Sequence, residues 1–156
     1  MSGLIVALLE PEIAGNVGTI ARTCMATGTP LHLIRPFGFH LHDEALKRAG
    51  MDYWDEVDST LHVSFGAFYS AFEQQFKAQR VFSLTTKGTL THSDVQFQQC
   101  DVLLFGPESR GLPESVRALT PQLRIPMVEG ARSLNLAVSV GVCLYEGWRQ
   151  LDYFLS

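Results

Sequence analysis

The sequence predicts an α/β fold in which a mostly parallel sheet is flanked by helices. Short apolar runs rich in β-branched or aromatic residues recur along the chain, and they alternate with segments that have the 3.6-residue period of amphipathic helices. Several of these runs are apolar on both faces: "LIVALL" (4–9) is apolar throughout, and "DVLLF" (101–105) is apolar after its first residue. Continuous apolar runs are typical of parallel strands that are buried on both faces of a sheet.

Five strands and four helices follow from these patterns. The strands are predicted at residues 4–9, 31–35, 80–84, 101–105 and 123–126. The helices are predicted at residues 16–27, 43–50, 64–77 and from about 133 to 151. Asn16 and Ser64 have side chains that cap helix N-termini, and Gly28 and Gly50 suit the position after a helix. The apolar stripe of the last helix is so wide that we expect more than one surface to cover it, one of them in a second subunit.

The composition predicts one domain spanning residues 1–156, because 156 residues with 46% hydrophobic content can bury one substantial core. The net charge of −4 is a mild argument against nucleic acid, so an RNA contact requires a local cluster of the 12 Lys and Arg residues. Cys24, Cys100 and Cys143 lack metal-binding spacing and are predicted to be buried free thiols, with no metal site. No apolar stretch is long enough to span a membrane, which favours a cytoplasmic protein without membrane contact.

Three predicted strands end in loops of unusual composition. The loops read "TTKGT" (85–89), "GPESRGLP" (106–113) and "MVEGARSLN" (127–135). The carboxyl ends of parallel strands meet at one edge of a sheet, where ligands bind. Gly and Pro commonly end strands, and this would explain the composition of any one of these loops. The occurrence of three such loops together favours a ligand site. Both common phosphate-binding motifs are missing, so a ligand held through adenine and ribose fits better than a polyphosphate.

Three motifs resemble the signature motifs of the SPOUT superfamily of RNA methyltransferases, in its ribose 2′-O branch. These motifs are "NVGTIAR" (16–22), "LFGPESRGLP" (104–113) and "RIPMVEGARSLNLAVSVGVCLYE" (124–146). The segments "RAGMDYW" (48–54) and "YEGWRQL" (145–151) are similar, more narrowly, to the tRNA methyltransferases that modify the wobble ribose. The likeness covers nearly the whole chain.

The resemblance implies a deep trefoil knot in the C-terminal part of the sheet, although knots are rare in proteins. It implies S-adenosyl-L-methionine bound by backbone groups of Leu84, Gly106 and Ile125, with Ser133 and Asn135 nearby. It also implies a homodimer whose interface includes the first and last helices. The expected reaction is 2′-O-methylation of a tRNA ribose at the wobble nucleotide, a cytidine or a modified uridine. Another tRNA or rRNA position is an alternative, as is a non-catalytic RNA-binding module.

Arg22 is the first candidate catalytic residue. Long helical side chains lean toward the helix N-terminus, so its guanidinium is expected to reach the space above Asn16. There it would clamp a phosphate or stabilise a developing alkoxide, and the resemblance implies a direct role in activating the hydroxyl. A salt bridge to Glu10 or Glu12 is the alternative.

Asn16 and Glu108 are the other candidate catalytic residues. Asn16 is either an N-cap or, by the resemblance, a group that orients the substrate. Glu108 is expected to cap the helix that follows it, or to bind a ribose hydroxyl or Arg22 in the pocket. Ser133 and Asn135 suit either helix capping or contact with an adenosyl ligand.

Four basic residues are candidates for contact with the substrate RNA: Arg22, Lys87, Arg110 and Arg132. Cations at these positions would bind phosphates, which position an RNA without reading its bases. The segment "PFGFHLH" (36–42) offers a platform of aromatic rings for an unstacked base, although a loop that covers the core explains the same residues.

Overall fold

One parallel sheet organises the chain in the computed structural model, which describes residues 3–40 and 51–153. The strands within these ranges are β1 Ile5–Leu9, β2 Leu31–Ile34, β3 Ser59–His62, β4 Val81–Leu84, β5 Leu90–Thr91, β6 Val102–Phe105 and β7 Gln122–Arg124. Their order in the sheet is β3-β2-β1-β6-β4-β7-β5, and each neighbouring pair is parallel. The predicted α/β class and mostly parallel sheet are confirmed.

Helices lie on both faces of this sheet. They are α1 Ala14–Thr27, α2 Phe65–Ala71, α3 Glu73–Lys77, α4 Glu114–Arg117 and α5 Leu136–Gln150, with a 3₁₀ helix at Met51–Glu56. The helix predicted at residues 43–50 lies outside the described residues. Among the described residues, no helix is long and apolar enough to cross a membrane.

Two hydrophobic clusters fill the space between the sheet and the helices. Alternate residues of β6 enter opposite clusters: Leu103 and Phe105 pack with α1 and α5, whereas Val102 and Leu104 pack with α2 and α3. Each of these four side chains is buried. Burial on both faces is the physical reason for strands that are apolar at every position.

The first helix begins two residues earlier than predicted. Ile13 is its N-cap residue, so the expected capping role of Asn16 is wrong. The side chain of Glu108 supplies the missing cap from a distant loop, which a local sequence pattern does not reveal. At the other end, Gly28 has a φ of 65°, and the predicted end of the helix there is confirmed.

The helix predicted at 64–77 is divided at Phe72, whose φ of −114° and ψ of 24° interrupt the helical path. Ser64 caps its first part as predicted, because its Oγ accepts a hydrogen bond from the backbone N–H of Ala67. Phe68, Phe72 and Phe76 all lie in the second hydrophobic cluster.

The last helix begins at Leu136, so Ser133 lies outside it. Its buried residues include Val140 and Leu144, and they face the core. Val138 and Tyr145 belong to the apolar stripe yet are 51% and 44% exposed. The wide stripe therefore has an inner face on the core and an outer face that the described residues leave exposed.

Strand β3 was not predicted because its sequence, "STLH", lacks a clear apolar alternation. It forms the edge beside β2, where the Nδ1 atom of His32 lies 2.8 Å from the Nε2 atom of His62 and the two rings stack. Burial and the neighbouring His62 lower the pKa of His32 to about 4.

The expected burial of the cysteines is correct for Cys24 and Cys143 and wrong for Cys100, which is exposed. Burial raises the pKa of the Cys24 and Cys143 thiols to about 12. Cys100 lies in the turn before β6 with a φ of 70°, a left-handed backbone conformation that is rare for a side-chain-bearing residue.

Candidate functional site

A cavity of about 460 Å³ opens at the carboxyl ends of β4, β6 and β7. Three loops line it: Leu84–Lys87 after β4, Phe105–Leu112 after β6, and the segment that runs from Ile125 to the start of α5. This is the edge at which ligands bind in open parallel sheets, and the three loops are those that the sequence singled out. Its size lies within the range of small-molecule sites, roughly 300–1,000 Å³.

Most residues predicted for the site meet in this cavity. Its lining includes Asn16, Leu84, Lys87, Gly106, Glu108, Arg110, Ile125, Arg132, Ser133 and Asn135. These residues are distributed over more than a hundred positions of the chain, and the parallel sheet brings them together. The exception among the predicted residues is Arg22.

Gly106 allows the loop after β6 to fold tightly. A Cβ atom added at this position would lie 2.5 Å from the carbonyl carbon of Gly111, and it would also meet the backbone N of Leu112. Such contacts are too short for any side chain. The loop therefore closes on itself at this position, and its residues line the cavity.

A chain of side-chain hydrogen bonds joins three of the candidate residues. The Oδ1 atom of Asn135 accepts from two backbone N–H groups at the start of α5, at 2.8 and 3.2 Å. Its Nδ2 group must then face outward, and it donates to the Oδ1 atom of Asn16 at 3.1 Å. The Nδ2 group of Asn16 in turn donates to the Oε2 atom of Glu108 at 3.3 Å. The backbone donors fix which side of the Asn135 amide carries its oxygen. The orientation of the Asn16 amide is fixed as a consequence, because it accepts from the Asn135 Nδ2 group.

Glu108 does not cap the helix that follows it, and it does not contact Arg22. Its carboxylate accepts hydrogen bonds from the backbone N–H groups of Glu12, at 2.9 Å, and Ile13, at 2.7 Å. These donors lie at the N-terminus of α1, where the helix dipole favours a negative charge. Glu108 thus fastens the loop after β6 to the first helix while it lines the cavity.

Asn135 is the N-cap of α5, which confirms one of its two predicted roles, and it also lines the cavity. Its contact with an adenosyl ligand stays a prediction. Ser133 is exposed at the cavity and lies before the helix. It has no cap interaction within the part of the chain that the structure describes.

The cations at the cavity differ in their partners. Arg110 donates through Nη2 to the Oε1 atom of Glu10 at 3.0 Å. The side chains of Lys87 and Arg132 line the cavity and form no hydrogen bond or ion pair with the residues that the structure describes. Their charges are therefore available for a ligand.

Arg22 lies away from the cavity of its own chain. It is exposed on α1, and it has no ion pair with Glu10, Glu12 or another described residue. Asn16 and Arg22 are six residues apart on α1, so their side chains project in directions about 120° apart around the helix axis. The prediction that its guanidinium reaches the space above Asn16 is wrong within a single chain.

Ser109 and Arg117 are among the polar residues of the site that the sequence-based prediction did not name. Ser109 donates from its backbone N–H and its hydroxyl to the carboxylate of Glu12 at 2.8 Å, and these bonds lower the pKa of Glu12. Arg117 lines the cavity and donates through Nε to the backbone carbonyl of Leu112 at 3.1 Å. A signal existed for Ser109, which lies between the predicted residues Glu108 and Arg110.

The aromatic segment after β2 partly covers the core, as one of the two interpretations expected. Phe37 and Phe39 stack with ring centroids 5.5 Å apart, and both pack against the first hydrophobic cluster. His40 is exposed, and His42 lies outside the described residues. Among residues 3–40 and 51–153, no group of three or more His, Cys, Asp or Glu side chains is placed to hold a metal ion.

Known proteins resemble this chain over nearly its full length. Residues 3–145 match the model of the SpoU rRNA Methylase family. The tRNA (cytidine(34)-2′-O)-methyltransferase of Methylovorus glucosotrophus is 48% identical over 95% of this chain and 96% of its own.

Solved structures agree with this result. One, solved to study the 2-OH methylation of C/U34 on tRNA, is 52% identical, with a TM-score of 0.90 over 97% of both chains. The SpoU methyltransferase AviRb of Streptomyces viridochromogenes, in complex with the cofactor AdoMet, is 27% identical, with a TM-score of 0.84 over 97% of this chain and 58% of its own. The fold, the cavity edge and the match across residues 3–145 lead to one assignment, which is that this chain belongs to the SpoU rRNA methylase family.

Proposed function

We propose that this protein transfers a methyl group from S-adenosyl-L-methionine to the ribose 2′-oxygen of nucleotide 34, a cytidine or uridine, in the anticodon of a tRNA. The observation that carries the proposal is the near-full-length likeness to a tRNA (cytidine(34)-2′-O)-methyltransferase. The cavity supports it independently, because it combines a pocket of cofactor size with cations at its wall.

The residues of the cavity fit S-adenosyl-L-methionine. Leu84 and Ile125 offer apolar contacts for a flat adenine, and the loops that contain them present backbone donors and acceptors. When bound, the cofactor supplies an electrophilic methyl group on a sulfonium leaving group. The protein then has to align the ribose and stabilise charge, and alignment alone is worth up to about 7–11 kcal/mol.

Asn16 is suited to orient the ribose. An amide side chain has two N–H donors and two acceptor lone pairs, and Asn16 uses one donor on Glu108 and one lone pair on Asn135. One donor and one lone pair remain for a substrate hydroxyl. Glu108 holds the side chain of Asn16 in place, so we assign Glu108 a positioning role among the candidate catalytic residues.

The free cations Lys87 and Arg132 are suited to bind RNA phosphates, since they lie at the cavity and have no described side-chain partner. Arg110 can contribute as well, although its ion pair with Glu10 orients it toward the first loop. The chain therefore gathers local positive charge despite its net charge of −4.

A homodimer would complete the site. The outer face of α5 exposes Val138 and Tyr145, and Met25 of the adjacent α1 is 38% exposed. We propose that these two helices form the dimer interface. Arg22 also lies on α1 and does not reach its own cavity, so it would stabilise the developing alkoxide in the site of the other subunit.

Mixed dimers test this arrangement. One subunit carries Arg22→Ala, and the other carries Gly106→Val, which closes the cofactor loop. If Arg22 acts across the interface, the mixed dimer keeps one intact site and about half of the wild-type activity, whereas both parent homodimers are inactive. An inactive mixed dimer that still binds cofactor at one site would place Arg22 within its own chain.

We further propose that residues 1–156 form one domain with a trefoil knot in its C-terminal part, and that the protein works in the cytoplasm, where its substrate is found. The segment that follows β7 lines the cavity next to the loops that follow β4 and β6. The chain then continues into α5, which packs against α1. This path is consistent with a threaded C-terminal part. Stretching the denatured chain by its ends would reveal a knot as a contour shorter than that of 156 residues.

The function is tested with purified protein, labelled S-adenosyl-L-methionine and two tRNAs that differ by one atom. The first has a ribose at position 34, and the second has a 2′-deoxyribose there. We expect label to enter the first tRNA and not the second. Equal labelling of both would refute methylation at this oxygen, and binding without transfer would favour a non-catalytic RNA-binding module.

A further inference from the structure

Arg117 is a cation of the cavity wall that has no part in the RNA contacts or the catalytic roles proposed above. It is the last residue of the short helix α4, and it lines the cavity together with Lys87, Arg110 and Arg132. The other three cations are exposed, whereas Arg117 is half-buried. Because charges attract more strongly where water is partly excluded, Arg117 is the cation of this wall best suited to a small charged ligand inside the cavity.

The guanidinium of Arg117 is held in place through one of its N–H groups. Its Nε donates to the backbone carbonyl of Leu112 at 3.1 Å. A guanidinium has five N–H donors, and the other four, on Nη1 and Nη2, form no hydrogen bond or ion pair with the residues that the structure describes. The two Nη groups form a planar pair of donors that matches the two oxygens of a carboxylate.

The contacts around Arg117 fix its position before a ligand binds. Its backbone carbonyl accepts from the Oγ1 atom of Thr120 at 3.2 Å. That Oγ1 atom lies 2.6 Å from the Oγ atom of Ser83 on β4, so the end of α4 is fastened to the sheet. Leu112, which accepts from the guanidinium, belongs to the loop that closes around Gly106. A side chain that is ordered in this way loses less conformational entropy when it binds a ligand.

The charge of the cavity wall calls for an anion. Among the described residues, four cations and one acid, Glu108, line the cavity. The carboxylate of Glu108 already accepts from the backbone N–H groups of Glu12 and Ile13 and from Asn16. It forms no ion pair with Arg117, so the charge of this guanidinium is not neutralised within the described part of the chain.

We propose that Arg117 binds the carboxylate at the amino-acid end of S-adenosyl-L-methionine. This inference rests on the proposed function, because it places that cofactor in the cavity. At neutral pH the adenosine is uncharged, the sulfonium and ammonium groups are positive, and the carboxylate is the negative group of the cofactor. A cation of the wall therefore attracts this end of the molecule. A carboxylate that leaves water needs such a partner, and Arg117 supplies it with two parallel donors.

The test uses S-adenosyl-L-homocysteine, which carries the same carboxylate, and its decarboxylated analogue, which keeps the adenosine, the thioether and the amine. Isothermal titration calorimetry measures the dissociation constant of each ligand. We expect the wild-type protein to bind S-adenosyl-L-homocysteine about tenfold more tightly than the analogue, as a charged hydrogen-bonded pair at a half-buried site would give. Arg117→Met should reduce this ratio to within about twofold of unity, because it weakens the binding of S-adenosyl-L-homocysteine and not that of the analogue.

Two further variants separate the fork of donors from charge alone. Arg117→Lys keeps the charge without the planar pair of donors, so it should give an intermediate ratio. Arg124→Met is the matched control and should keep the wild-type ratio, because Arg124 is an exposed arginine on β7 outside the cavity wall. The affinity of Arg117→Met for tRNA should stay within about twofold of wild type, since an RNA phosphate is not the expected partner.

Equal binding of the two ligands by the wild-type protein would overturn the inference, and this result does not depend on the folding of any variant. A ratio that survives Arg117→Met would also overturn it. So would an equal loss for both ligands in this variant, because Arg117 would then act on the adenosine or on the fold. The ratio without methyl transfer to tRNA would overturn the proposed function and retain the carboxylate site, whereas methyl transfer without the ratio would do the reverse.

Discussion

The carboxylate of Glu108 offers a sharp test of the site, because the structure gives it a structural task that a catalytic base would not have. Its two oxygens accept from two backbone N–H groups at the start of α1, at 2.9 and 2.7 Å, and from Asn16. Replacing Glu108 by Gln removes the negative charge and turns one acceptor into a donor that faces another donor. One backbone N–H therefore loses its partner.

The magnitude follows from these contacts. A hydrogen bond to a charged group contributes about 1.5–3 kcal/mol, and a charge at a helix N-terminus contributes about 0.3–1 kcal/mol. Glu108 is only half-buried, so the lower part of this range applies, and we expect Glu108→Gln to destabilise the protein by about 2 kcal/mol. For a chain of this size, that loss lowers Tm by about 4–8 °C.

Thermal unfolding at fixed protein concentration measures this loss, with Glu114→Gln as the control. Glu114 is an exposed acid in the first turn of α4 and should change the free energy of unfolding by less than about 0.5 kcal/mol. Glu108→Gln should retain measurable turnover once cofactor is saturating, since its role is to hold Asn16. An unchanged Tm together with a loss of kcat of about a thousandfold or more would refute this reasoning and make Glu108 a direct catalyst.

The remaining predictions concern titration and thiol access. Because burial lowers the pKa of His32 to about 4 from an ordinary value near 6.5, the unfolded chain binds more protons between these values, and stability should fall as pH drops through this window. Urea unfolding from pH 7 to pH 4 should show this slope in wild type and a smaller one in His32→Gln; equal slopes would contradict the effect of burial. Native alkylation at pH 8 should modify Cys100 quickly and spare Cys24 and Cys143, whose thiols are buried with pKa values raised to about 12. If the core were accessible to the reagent, mass spectrometry would show Cys24 and Cys143 alkylated before Cys100.

The central strands could be predicted from the sequence because burial on both faces leaves an apolar run that is visible without any other information. β1 and β6 are such strands, and the loop after β6 carries its own Gly and Pro signals. β3 was missed because an edge strand with the sequence "STLH" has no pattern that distinguishes it from a loop. Its pairing with β2 is a tertiary contact.

The residues of the cavity were predicted better than the roles of their side chains. A local pattern made Asn16 an N-cap, whereas the helix begins at Ala14 and a carboxylate from residue 108 completes its end. The predicted reach of Arg22 was wrong because the lean of a side chain along a helix does not offset its rotation about the helix axis. Both errors arise from groups that are distant in sequence or on another face of the helix.

Methylation of the ribose at position 34 by this protein is tested by mapping 2′-O-methylated nucleotides in the tRNA of cells that lack it. We expect methylation to disappear from the ribose at position 34 of particular tRNAs and to return with the wild-type gene, but not with the Arg22→Ala variant. Unchanged methylation at position 34, or a loss confined to ribosomal RNA, would contradict this expectation.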